Sequence, residues 1–88
     1  MKRNLVTKKR RYSKQYALWK KITGQVSEGD IIKSLRDEGF LYRRGARFVV
    51  TAFDGKRAIA VRYCYPYSIS KRDLKVVGYV EGYEKKKA

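Results

Sequence analysis

Nine cationic side chains open this sequence with no carboxylate among them: Lys2, Arg3, Lys8, Lys9, Arg10, Arg11, Lys14, Lys20 and Lys21 all precede Glu28, the first acid. Such a run repels itself and has no acidic neighbours for helical ion pairs. Phosphate oxygens relieve the repulsion, and the counterions they release favour the contact. Lys85, Lys86 and Lys87 repeat the theme at the other end. All eight acidic residues fall between, so most of the net charge of +15 lies in two flanking segments. The bland alternative is a pair of solvated tails that keep the protein in solution.

The leading segment also carries rings. Tyr12, Tyr16 and Trp19 follow i, i+4, i+7 spacing, one face of a helix if residues 13 to 22 are helical, with Ser13 as its cap. Leu18 and Ile22 form a neighbouring apolar pair. The rings can dock on the rest of the molecule, or stack on unpaired bases while the lysines hold phosphates. Arg43-Arg44-Gly45 has the donors for phosphate or base-edge contact from a loop. Lys56-Arg57 and Lys71-Arg72 are two further basic pairs.

Other chemistry is missing from the composition. The chain has no histidine and a single cysteine, Cys64, so it offers neither a Cys/His zinc set nor an internal disulfide, and it lacks the commonest general base. Cys64 reads as a buried, inert thiol in a strand. Glu28, Asp30, Asp37, Glu38 and Asp54 are each explained by a helix end or a turn. The expectation is a binding protein with no catalytic residues, no metal and no cofactor. With no apolar stretch of membrane-spanning length and no signal-peptide run, the sequence reads as soluble and cytoplasmic, without a membrane partner.

The elements that must position these groups follow from periodicity. Val26-Ser27-Glu28-Gly29-Asp30-Ile31 has capping-box spacing with a hydrophobic staple, which predicts a helix over 28 to 38 closed by Gly39. Asp54-Gly55 between residues 47–53 and 56–65 predicts a hairpin. A two-residue turn would set Phe48 against Val61 and Val50 against Ile59 on the core face. On the other face it would set Arg47 against Arg62, a pair that either clamps a phosphate or splays around a further element. Pro66 ends that strand. Residues 74 to 80 predict a third strand with Leu74, Val76 and Val80 inward and Gly78 at a bulge or close contact. Leu41 and Tyr42 offer a short leading strand. The fold class expected is α+β: one helix packed on a three- to four-stranded antiparallel sheet, with an SH3-like barrel as the alternative. The compact domain would span 26 to 84, between a basic extension over 1 to 25 and a tail over 85 to 88.

The Lys8-Lys9-Arg10-Arg11-Tyr12 run, the Lys20-Lys21 pair beside Trp19 and the Lys85-Lys86-Lys87 end make the layout resemble small archaeal ribosomal proteins. That resemblance implies a compact domain with basic extensions set among rRNA helices. Its partners would be rRNA and neighbouring ribosomal proteins. A chromatin-type or viral protein on duplex DNA is the competing expectation.

Overall fold

The computed structural model describes residues 9–83. In chain order its elements are β1 (Arg10–Tyr12), α1 (Lys14–Thr23), β2 (Asp30–Ser34), β3 (Arg47–Phe53), β4 (Arg57–Arg62), β5 (Tyr65–Ser70), a 3₁₀ turn (Lys71–Asp73) and β6 (Leu74–Val80). All six strands join one antiparallel sheet in the order β1-β6-β2-β3-β4-β5. This corrects the expected architecture. Among the described residues sheet predominates, and the one α-helix is α1 rather than a helix over 28 to 38. The sheet is open, with β1 and β5 as edges, instead of closing into a barrel. Among the described residues no helix is long and apolar enough to cross a membrane.

The failed helix is instructive. Half of the expected capping box forms: the Ser27 amide donates to Asp30 Oδ2 at 2.8 Å. Gly29 then takes φ +88°, which a continuing helix excludes, and the chain enters β2. Ile31 and Ile32 are both fully buried. In a strand, adjacent side chains point to opposite faces, so β2 is covered on both, as suits the position between β3 and β6.

Helix α1 forms where its local signals lie. The Ser13 hydroxyl accepts from the Tyr16 amide at 3.1 Å, and Gly24 closes the helix in the left-handed conformation. Residues 10 to 23, read as extension, are thereby built onto the sheet. Tyr16 packs against Tyr79 of β6, with ring centroids 4.8 Å apart and the rings tilted by 54°. Its hydroxyl donates to Asp30 Oδ1. Burial, and then the adjacent Asp30 carboxylate, push the Tyr16 phenol far above its ordinary range, so it stays a donor. Lys20 Nζ lies 3.0 Å from Asp30 Oδ2 and donates to Ser27 Oγ at 2.7 Å, with both charged side chains at most 2% exposed. This buried pair fastens helix to sheet.

The β3–β4 hairpin forms around Asp54-Gly55, but in another register. Phe53 pairs with Ala58, Thr51 bulges out, and Val50 then pairs with Ala60 and Val49 with Val61. The shift turns β4 over relative to the expected register. Ala58 and Ala60 face the core, while Ile59 is 39% exposed. Strand β4 also ends sooner than expected. Tyr63 and Cys64 make a two-residue turn, and the chain returns as β5 along the sheet edge, where Pro66 sacrifices no ladder bond to a further strand. Its peptide bond is trans. Cys64 is therefore exposed at a hairpin tip, not buried. Both turn residues have positive φ, 52° and 68°, at a cost of about 1–2 kcal/mol per residue for an L side chain.

The core consists of Ile32, Phe48, Val50, Ile69, Leu74 and Val76 with the two alanines. Tyr42 closes one end, edge-on to Phe48 and Tyr67 at 5.0 and 5.6 Å. It enters from the loop over residues 35–46; the expected strand at Leu41-Tyr42 does not form. β6 meets expectation only as far as Val76: Leu74 and Val76 join the core, while the bulge between Val76 and Gly78 turns the buried Val80 to the opposite face, away from the core cluster.

Lys20→Met strands a buried carboxylate and should cost about 3–5 kcal/mol in urea unfolding. Adding Asp30→Leu should cost less than the two single losses combined, because no charge is then left unpaired. Strict additivity would show that the pair is not coupled.

Candidate nucleic-acid interface

The sheet face opposite the core, with its border, collects cations from six elements. Lys33 of β2 is the direct ladder partner of Arg47 on one side and of Lys75 on the other. Ladder partners share a face, so Lys75, Lys33 and Arg47 form a row across three adjacent strands, with neighbouring β-carbons about 4.5–5.5 Å apart. Like charges so placed repel one another.

Two shallow grooves meet at Arg47. One is lined by Tyr12, Lys14, Lys33, Lys75 and Val77, and the other by Arg10, Gly45, Val61, Arg62 and Tyr63. Neither lining contains a carboxylate. None of these six cations forms an ion pair among the described residues, whose salt bridges lie elsewhere. The Arg47 guanidinium lies 5.0 Å from the Tyr12 ring centroid, and that of Arg62 lies 4.6 Å from Tyr63. Arginine over an aromatic face still leaves donors at the guanidinium edge for phosphate oxygens.

Gly78 admits β1 to this face. It pairs with Tyr12 on one side and Ile31 on the other, at a β-bulge in β6. A β-carbon at Gly78 would lie 2.0 Å from the Arg11 carbonyl oxygen, so any side chain there displaces β1. Both the bulge and the close contact expected at this glycine are present.

The residues singled out from sequence divide into three sets. Arg10, Tyr12, Lys14, Arg47 and Arg62 come together on this surface. Arg47 and Arg62 border one groove without being the ladder partners expected of them, because the register moved. A second set is placed elsewhere. Lys20 and Tyr16 are used up by Asp30, and Arg11 pairs with Glu81 at 2.9 Å. Lys21 borders a separate cleft between α1 and β6. Trp19 is half-exposed beside Tyr16, whose ring rather than Trp19's docks on the sheet. Lys9, Arg43 and Arg44 are exposed outside both grooves. Lys2, Arg3, Lys8, Lys85, Lys86 and Lys87 lie outside the described residues.

Lys33, Lys75 and Tyr63 join the surface unannounced. Lys75 was legible, since it alternates with the inward Leu74 and Val76. Lys33 was hidden by the helical reading of its segment. At the far end of the β3–β4 hairpin the structure also gathers Lys56, Arg57, Lys71 and Arg72 around one groove. There the Asp54 carboxylate accepts the Lys56 and Arg57 amides, which hold it below its usual range.

No family model, curated protein or solved structure matches this chain.

Gly78→Ala should free β1 without touching the core. Amide exchange should accelerate in residues 10–13, with protection kept across β2, β3 and β4; unchanged exchange in β1 would contradict the close contact.

Proposed function

We propose that this is a structural nucleic-acid-binding protein that holds phosphates along the Lys75–Lys33–Arg47 row, and that its target is RNA. One observation carries the reading: three cations repel one another on adjacent strands with no carboxylate in reach. A protein with eight acids to distribute could have relieved that row, and it places them elsewhere. Phosphate oxygens would turn the repulsion into a set of charge-assisted contacts. RNA is favoured over duplex DNA by the exposed rings beside the cations, since RNA presents unpaired bases as well as phosphates. The layout that resembles small archaeal ribosomal proteins points further, to rRNA as the RNA and to a cytoplasmic ribosome as its place. On this reading the protein acts by binding, and no residue is assigned a catalytic role.

The test is the salt dependence of RNA affinity. A purified sample should bind structured RNA at near-physiological salt. Lys33→Ala, Arg47→Ala and Lys75→Ala together should lower the log–log salt slope by about 2–3, at 0.7–0.9 per phosphate contact. Thermal stability should stay level or rise, since the substitutions remove repulsion. An unaltered slope would remove the row from the interface. Absence of binding by the unsubstituted protein to either RNA or DNA would end the proposal.

A further inference from the structure

The turn between β4 and β5 is built from unsuitable residues. Arg62 pairs with Tyr65, leaving Tyr63 and Cys64 as a two-residue loop with both φ values positive. That is the geometry of a type I′ turn, which favours Asn-Gly because glycine and asparagine tolerate the left-handed region. Every other described residue at positive φ is a glycine, six in all. Among the described residues, only this tip places two side chains where glycine would be unstrained.

Packing does not repay that strain. Tyr63 is 80% exposed and Tyr65 68% exposed, so neither ring contributes a buried surface. What the turn does achieve is placement. Tyr63 stands at the rim of the groove lined by Arg10, Arg47 and Arg62, with the Arg62 guanidinium against its ring. A flat apolar surface, open to solvent and flanked by phosphate-binding groups, suits a nucleotide whose base is not occupied in a duplex. Duplex RNA offers its phosphates and 2′-hydroxyls but keeps its bases stacked, whereas loops and bulges can lay a base on a ring.

We infer that Tyr63 is a stacking platform for an unpaired base, whose adjoining phosphates rest on Arg62, Arg47 and Arg10. The ligand class is RNA with unpaired nucleotides, and continuous duplex is the poorer ligand. This rests on the reading of the groove as a phosphate site and adds to it a preference that phosphate contacts alone would not produce. Tyr12 is less suited to the role, being 50% exposed against 80% for Tyr63 and lining the other groove.

Fluorescence anisotropy with a short labelled RNA strand and a blunt RNA duplex of equal length separates the possibilities. Tyr63→Ala should weaken single-strand binding about tenfold and duplex binding by less than about twofold. Tyr63→Phe keeps the ring and should bind as the unsubstituted protein does. Folding is controlled by replacing the turn with Tyr63→Asn and Cys64→Gly together. That variant relieves the strain and should melt at higher temperature, yet show the same single-strand loss as Tyr63→Ala. Cys64→Gly alone should melt higher with binding intact. Equal losses on strand and duplex, or no loss on either, would overturn the platform while leaving the phosphate reading standing. Failure of the unsubstituted protein to bind either RNA would instead overturn the phosphate reading itself.

Discussion

The ion pair between Lys20 and Asp30 holds this molecule in its arrangement. It joins α1 to a central strand, with both side chains buried. Asp30 is surrounded by donors: the Lys20 ammonium, the Tyr16 hydroxyl and the Ser27 amide. A buried carboxylate so supplied is tolerable, and one deprived of its cation is not. The pair does less for net stability than for placement, since it dictates which face of α1 meets the sheet. With that face set, β1 is drawn alongside β6, and Arg10 and Tyr12 reach the outer surface.

That constraint also reassigns charge. The leading segment reads as a uniform cationic arm, yet its described part is sorted by contact. Lys20 is neutralised inside and Arg11 by Glu81, while Arg10 and Lys14 are delivered to the groove side. The sheet supplies the remainder through Lys33, Arg47, Arg62 and Lys75. A surface of this kind is assembled from both the leading segment and the sheet, and neither alone would make it.

Two local sacrifices sit beside the same surface. Gly78 gives up a side chain so that β1 can approach, and the Tyr63-Cys64 turn accepts left-handed backbone without glycine. The row of like charges is a third. Strain, close backbone approach and uncompensated charge usually disperse over a protein; here they adjoin one another, as is common where structure yields to binding.

Several features were legible in the residues alone because they depend on neighbours a few positions apart. Ser13 capping a helix, Asp54-Gly55 turning a hairpin, the alternation of residues 74 to 76 and the backbone contact at Gly78 are all of this kind. So was the excess of cations and their separation from acids. What only the tertiary structure decided was pairing. Ser27 to Ile31 carries a helix-start pattern that its local hydrogen bond partly honours, but β3 and β6 claim the segment as a strand, whose two adjacent isoleucines are then buried on opposite faces of the sheet. The bulge at Thr51 resets the register of β4 against β3, exchanging Ile59 for alanines in the core. Lys33, Arg47 and Lys75 are far apart in sequence and become one row only through that sheet, since a ladder joins residues by geometry that no short-range pattern encodes.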